Sequence, residues 1–131
     1  MIIGIGADIA EVLRLRAAME RHGERFLHRV FTPLEIGYCR SHHNAAERFA
    51  ARFAAKEAMM KALGTGWRRG IRWRDIEVSN AASGKPELNL SGKALEICRS
   101  LGGTRVLLSL THTDLYALAQ VIIEGEAPHH P

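Results

Sequence analysis

The chain has 131 residues, of which 47% are hydrophobic and 24% charged, and a formal net charge of +4. This length suits one domain with its own core, and the composition excludes a disordered chain. No apolar run approaches the roughly 18 residues of a membrane-spanning helix, and the N-terminus lacks the basic region of a secretory signal. We therefore expect a cytoplasmic protein, with one domain over residues 1–124 and a frayed tail over 125–131.

The first half of the chain predicts one strand followed by helices. Residues 2–9 alternate between an apolar face and a face made of Gly4, Gly6 and Asp8, which leaves room for another backbone or a ligand. Thr32 and Glu35 form a capping box around Pro33, so a new helix should begin there. The predicted helices cover residues 10–22, 24–31, 33–42 and 45–63, with Gly23 as a break.

The second half predicts mostly strands. A hairpin of strands 71–79 and 87–90 is joined by a polar turn, and one short helix separates it from two final strands. The helix covers residues 91–101, and the strands cover 105–111 and 116–123. The order of elements predicts an α+β fold in which a mainly antiparallel sheet packs with the long helix.

A carboxylate interrupts the apolar stripe of the long helix. Steps of four from Phe49 lead to Phe53 and then to Glu57, with Met60 on the same stripe, so Glu57 should face the core and Lys56 should flank it. A buried carboxylate needs a positive partner. Lys61 is the local candidate and a metal ion is the other.

Asp8 ends the first strand and offers a second carboxylate. Two carboxylates at buried element ends suggest one magnesium site, completed by waters and substrate phosphates. The ordinary alternatives are that Asp8 caps the following helix and that Glu57 and Lys61 form a solvated ion pair. With the arginines and His112 at a strand end among hydroxyls, the set favours chemistry at a phosphate or pyrophosphate bond. A lone histidine such as His112 is more often structural than catalytic.

Several other sites are excluded by spacing. The GIGADI segment lacks the third glycine of a dinucleotide-binding motif, because Ile9 stands there. Cys39 and Cys98 are too far apart in sequence for a CxxC pair, and the histidine pairs at 42–43 and 129–130 lack ligand spacing. The GTG sequence at residues 64–66 could bring backbone amides near a phosphate, although a helix stop is its commoner meaning.

Several segments together resemble the holo-[acyl-carrier-protein] synthase family of 4'-phosphopantetheinyl transferases. They are GIGADIAEVLRL, RFLHRVFTPLE, RFAAKEAMMKALGTG, GKPEL and LLSLTHTDLYALAQVIIE, and they fall in order over nearly the whole chain. The resemblance implies a 4'-phosphopantetheinyl transferase-like fold. It also implies a magnesium-dependent transfer of phosphopantetheine from coenzyme A to a serine of apo acyl carrier protein, for fatty acid biosynthesis, with release of adenosine 3',5'-bisphosphate.

The resemblance also assigns roles to residues. Asp8 and Glu57 match the metal-binding carboxylates, and Lys61 would stabilise the charge that develops on the phosphate. Glu57, directly or through a metal-bound water, is the first choice for the base that takes the serine proton, and His112 is the rival. Positions near the phosphates and nucleotide are matched by Arg52, Lys61, Gly64, His112 and Thr113.

Partners follow from the same resemblance. Short members of the family are similar in being homotrimers with active sites between subunits, and acyl carrier proteins are acidic. The candidate docking residues are Arg14, Arg21, Arg25, Phe26 and Arg29, and no nucleic acid or membrane is expected as a partner. The competing hypotheses are a basic nucleic-acid-binding module, supported by the arginines at 68–74, and a noncatalytic oligomeric interaction protein.

Two positions depart from relatives in the superfamily. Larger relatives carry a second acidic residue two positions after the aspartate, where this chain has Ala10. Some members have tryptophan where this chain has Phe53. The first departure implies that water or substrate fills one coordination position.

Overall fold

The computed structural model describes residues 1–66 and 69–126, and it has an α+β fold in which every described strand pairing is antiparallel. One sheet has the order β1-β5-β4, and β2 and β3 form a separate hairpin. The elements are β1 (Ile2–Glu11), α1 (Val12–Val30), α2 (Pro33–Arg40), α3 (Ala45–Leu63), a 3-10 turn (Trp73–Asp75), β2 (Ile76–Asn80), β3 (Pro86–Leu90), α4 (Gly92–Ser100), β4 (Gly103–His112) and β5 (Tyr116–Gly125). The predicted fold class is confirmed.

The long helix α3 packs directly on β1 through the predicted glycine face. A Cβ atom added to Gly4 would lie 2.3 Å from the Ala62 carbonyl oxygen, and one added to Gly6 would lie 2.0 Å from that of Ala58. Only glycine permits so close an approach of strand and helix backbones. The approach holds the helix beside the carboxyl end of β1, where Asp8 lies.

The capping box at the start of α2 is confirmed. The Glu35 amide donates to Thr32 Oγ1 at 3.3 Å, and the Thr32 amide donates to Glu35 Oε1 at 2.9 Å. Pro33 occupies the first helical position. Local sequence therefore determined this helix start, although α2 ends at Arg40 and not at residue 42.

Other predicted boundaries need correction. Residues 10 and 11 belong to β1, because they continue its pairing with β5. The break predicted at Gly23 is confirmed, because this residue has a non-helical conformation, at φ 60° and ψ −145°, and α1 is two helical segments that meet there at a kink. The strand predicted from residue 71 begins only at 76, since residues 73–75 form the 3-10 turn.

The C-terminal boundary also differs from the prediction. Gly125 belongs to β5, and its amide donates to the Met1 carbonyl oxygen at 3.0 Å. Glu126 is described as well, and residues 127–131 of the predicted tail lie outside the described residues. The extent of the single domain stays a prediction. Within the described ranges, no helix combines the length and the hydropathy needed to cross a bilayer.

Candidate active site

Asp8, three residues before the end of β1, contacts Lys61 in the last turn of α3. Lys61 Nζ donates to Asp8 Oδ1 at 2.9 Å and to the Ala7 carbonyl oxygen at 3.1 Å. The hydrogen bond to Asp8 raises the pKa of Lys61, and the negative charges of Asp8 and Glu57 act in the same direction. One ammonium group is therefore attracted by both predicted metal-binding carboxylates.

The burial of the α3 charges differs from the prediction. Glu57 is half-buried at the margin of the core, whereas Lys56, predicted to flank it, is fully enclosed. Lys56 Nζ donates to Glu35 Oε1 at 2.8 Å and also to the carbonyl oxygens of Trp73 and Ile76. Because α3 packs against the sheet on one side and against α2 and β2 on the other, a single apolar stripe does not identify its core side.

The donor set near Asp8 suits a hard cation that keeps other ligands. Two carboxylates supply oxygen ligands. Magnesium prefers such ligands and completes its coordination with waters and phosphates. Within residues 1–66 and 69–126 no group of three or more histidine, cysteine or acidic side chains could hold a metal ion. A cation held here by Asp8 and Glu57 would therefore need further oxygen atoms from water or a substrate.

Arg52 lines a small polar cavity of about 160 Å³, together with Tyr38, Arg48, Asn80 and His112. Only 3% of Arg52 is exposed, and its Nη2 donates to Asn80 Oδ1 at 2.7 Å. Its guanidinium carbon lies 3.9 Å from the centre of the Tyr38 ring. Arg52 Nε has no hydrogen-bond partner among the described residues. An unpartnered donor on a buried arginine fits a site for an anion.

His112 and Thr113 line a second cavity of about 320 Å³ next to the first. His112 Nδ1 lies 3.1 Å from Glu47 Oε1, so the ring is held from one side. Thr113 Oγ1 accepts from the amides of Leu115 and Tyr116 and so stabilises the turn between β4 and β5. The structure therefore places Arg52 and His112 on one cavity and His112 and Thr113 on the next.

Gly64 has a structural role at the end of α3. It adopts the left-handed conformation at φ 76°, and its amide donates to the carbonyl oxygens of Met60 and Lys61. This amide is therefore already engaged in the helix end. The phosphate contact expected at Gly64 stays a prediction.

The arginines of α1 form an exposed basic surface, which we call the α1 surface: Arg14, Arg21, Arg25 and Arg29, with half-buried Phe26 beside them. Phe26 and Arg14 line a cavity of about 320 Å³ that also reaches Ile9, at the end of β1, and Phe53 of α3. The α1 surface is therefore continuous with the strand that carries Asp8. Of the second basic cluster, Arg68 lies outside the described residues, as do the histidines at 129 and 130.

Sequence reasoning missed three features of the site. Glu35 was read only as a capping residue, although it also binds Lys56. Tyr38 and Asn80 lie in elements far from Arg52 in sequence, so no spacing could connect them. Glu47 matches an ordinary acidic residue in the first turn of a helix, and only the fold brings it to His112.

Comparison with known proteins finds relatives over nearly the whole length of the chain. Two relatives are holo-[acyl-carrier-protein] synthases: one from Koribacter versatilis is 54% identical over 95% of this chain and 99% of its own length. The other, from Solibacter usitatus, is 52% identical over 95% of this chain and 100% of its own length.

Solved structures of proteins with the same name have the same fold. The structure from Neisseria meningitidis has a TM-score of 0.85 at 38% identity and covers 95% of this chain and 99% of that one. The structure from Bacillus anthracis, in complex with CoA (3',5'-ADP), has a TM-score of 0.79 at 36% identity and covers 96% of this chain and 99% of that one. A family model described as the 4'-phosphopantetheinyl transferase superfamily matches residues 4–119, and the chain belongs to that superfamily.

Proposed function

We propose that this chain is a holo-[acyl-carrier-protein] synthase. It transfers the 4'-phosphopantetheine group of coenzyme A to a serine of apo acyl carrier protein and releases adenosine 3',5'-bisphosphate. The observation that carries the proposal is the contact of Lys61 with Asp8 beside Glu57, close to a strand end and within a fold that the synthases share. The site therefore offers the carboxylates of Asp8 and Glu57 and the ammonium group of Lys61 to a bound pyrophosphate.

The reaction breaks one bond of the pyrophosphate. The serine oxygen attacks the phosphorus that carries the pantetheine arm, and the bond from this phosphorus to the bridging oxygen breaks. The electron pair of that bond leaves with adenosine 3',5'-bisphosphate, and the serine proton passes to a base. Little covalent chemistry falls to the protein, so positioning and charge stabilisation provide most of the catalysis.

Asp8 and Glu57 are the proposed magnesium ligands. When bound, magnesium would supply positive charge at the pyrophosphate oxygens. Lys61, already attracted by both carboxylates, turns its ammonium toward the phosphate and offsets negative charge there. Ala10 has no carboxylate, so substrate or water completes the coordination.

The base is proposed to be Glu57, with His112 as the alternative. Glu57 is half-buried next to the phosphate-binding cation Lys61, where a serine oxygen must approach. His112 and Arg52 line the same small cavity. Because Glu57→Gln would also remove a magnesium ligand, His112→Ala is the informative variant: its kcat should fall by roughly a hundredfold or more if His112 is the base, and by less if Glu57 is.

The nucleotide part of coenzyme A is assigned to the cavities that Arg52 and His112 line. Arg52 offers an unsatisfied Nε donor, and His112 and Thr113 line the adjoining space. Gly64 is assigned to the same substrate at the end of α3. An Arg52→Gln variant should raise KM for coenzyme A more than it lowers kcat, because it removes a contact made to substrate and transition state alike.

The α1 surface is the proposed docking site for acyl carrier protein. Its arginines are exposed and carry a charge opposite to that of the acidic carrier. Phe26 adds an apolar contact at the cavity that reaches β1. Binding should weaken as salt rises, because exposed charges are screened.

A homotrimer in the cytoplasm, acting in fatty acid biosynthesis, completes the proposal. The face of the β1-β5-β4 sheet that does not contact α3 exposes Ile5 and Ile9 by 61% and 62%, beside Tyr116 and Leu118. An apolar patch of this kind on a sheet is typical of a protein interface. Light scattering tests this state, and an Ile5→Glu, Ile9→Glu variant should dissociate.

The test of the activity is incubation with apo acyl carrier protein, coenzyme A and magnesium, followed by the mass of the carrier. We expect a gain equal to one phosphopantetheine group, and its loss in Asp8→Asn and Glu57→Gln. Glu96→Gln, an exposed charge on α4, is the matched control and should keep the activity. No mass gain with the wild-type chain, or tight nucleic-acid binding without coenzyme A binding, would overturn the proposal.

A further inference from the structure

The imidazole of His112 has a carboxylate partner that the reaction described above does not use. Glu47, in the first turn of α3, holds Oε1 at 3.1 Å from His112 Nδ1. An ionised carboxylate only accepts hydrogen bonds, so Nδ1 is the donor and carries a proton. In the neutral ring, Nε2 then bears the lone pair.

The contact is enclosed enough to control the ring. The side chains of His112 and Glu47 are 26% and 23% exposed. His112 lines both cavities of the site, one shared with Arg52 and one shared with Thr113. Since Nδ1 is occupied by Glu47, only Nε2 remains available to a bound substrate.

We propose that Glu47 is a positioning residue for the transfer reaction. It acts through His112: it holds the ring in one orientation, keeps the proton on Nδ1 and leaves Nε2 for the substrate. The inference rests on the function proposed above. If His112 accepts the serine proton, it needs a lone pair on Nε2; if it contacts a phosphate as a cation, the carboxylate offsets its charge.

Glu47 has one other physical role, which must be separated from its proposed positioning of His112. An acidic side chain in the first turn of a helix interacts favourably with the helix dipole. That role affects stability and leaves the reaction of a folded enzyme unchanged. Aspartate serves it as well as glutamate does, but its carboxylate is one methylene shorter and does not reach Nδ1.

The discriminating variants are therefore Glu47→Asp and Glu47→Ala. In both, we expect kcat/KM to fall by about ten- to a hundredfold, as when outer partners of functional histidines are removed. In ¹⁵N spectra of the imidazole, the Nδ1–H tautomer of His112 should lose its dominance in both variants. Glu96→Ala is the matched control on the exposed face of α4 and should leave both readouts unchanged.

A double variant completes the test. If Glu47 acts through His112, Glu47→Asp should cause no further loss in a His112→Ala background. Full activity or an unchanged tautomer in folded Glu47→Asp would overturn the inference, and so would additive losses in the double variant.

The same set distinguishes failures at different levels. Normal kinetics in His112→Ala would remove His112 from the site, and Glu47 would lose its role with it. A slow His112→Ala together with a normal Glu47→Asp would overturn the inference about Glu47 alone. A wild-type chain without transfer activity would overturn the proposed function itself, while the tautomer measurement would still report on the contact.

Discussion

Replacing Lys56 with methionine should destabilise the fold strongly, because it leaves a buried carboxylate without its counter-ion. The Lys56 and Glu35 side chains are both 0% exposed and lie 2.8 Å apart at Nζ and Oε1. Glu35 would retain the amides of Thr32 and Val78, at 2.9 and 2.8 Å, as its remaining donors. The methionine side chain has similar length and volume, so the change leaves no large cavity and removes only the charge and the hydrogen bonds of Lys56 Nζ, including those to the carbonyl oxygens of Trp73 and Ile76.

The magnitude follows from the burial of the pair. Breaking a buried ion pair by removing one partner costs about 3–5 kcal/mol, much more than the pair contributes relative to apolar side chains. Glu35 keeps two donors, which places the expected loss toward the lower half of that range. For a chain of 131 residues, an unfolding entropy of about 0.28 kcal/mol/K converts the full range to a fall in Tm of about 11–18 °C.

Urea denaturation at pH 7 measures this prediction, with protein concentration held constant because assembly affects apparent stability. Lys93→Met is the matched control: its ion pair with Glu96 has side chains 41% and 68% exposed, so a change below about 1 kcal/mol is expected. A second variant, Glu35→Gln with Lys56→Met, should be more stable than Lys56→Met alone because it removes the isolated charge. A loss below about 1 kcal/mol in Lys56→Met, or a less stable double variant, would refute the reasoning.

Gly6→Ala should separate β1 from α3 and lower both Tm and transfer activity, because the added Cβ would lie 2.0 Å from the Ala58 carbonyl oxygen and backbone atoms cannot move aside as a side chain can. Thermal unfolding and the carrier-mass assay measure the two effects. A normal Tm would contradict the close approach. Asp8→Asn should lower the pKa of Lys61 toward its ordinary value of 10.5, because the hydrogen bond to Asp8 raises that pKa in the wild-type chain. NMR titration of the lysine side chain measures the pKa. An unchanged pKa in the variant would contradict the contact. The contribution of this raised pKa to stability is present below pH 10.5 and is lost as pH rises through the folded pKa, so the difference in stability between wild type and Asp8→Asn should shrink there. Burial raises the pKa of the Cys39 thiol to about 12, so a thiol reagent at pH 8 should modify this thiol only after unfolding. Rapid reaction of the native protein would contradict the burial of Cys39.

Local signals explain which parts of the fold were predictable. The start of α2 was determined by Thr32, Pro33 and Glu35, because a capping box acts within four residues. The glycine face of β1 was visible because strand residues alternate with a period of two. Residues 10 and 11 were assigned to a helix instead, since only their pairing with β5 extends the strand.

The sequence by itself determined the α+β class, the bounds of α3 and the set of polar residues from which a phosphate site can be built. Tertiary structure decided which charge of α3 is buried. The helix is covered on more than one side, and the fully buried charged residue is Lys56, which forms an ion pair with Glu35, and not Glu57. It also gave Lys61 to Asp8 and Glu47 to His112, contacts between residues 53 and 65 positions apart. Such pairs depend on how strands and helices pack, and no local spacing in the chain encodes them.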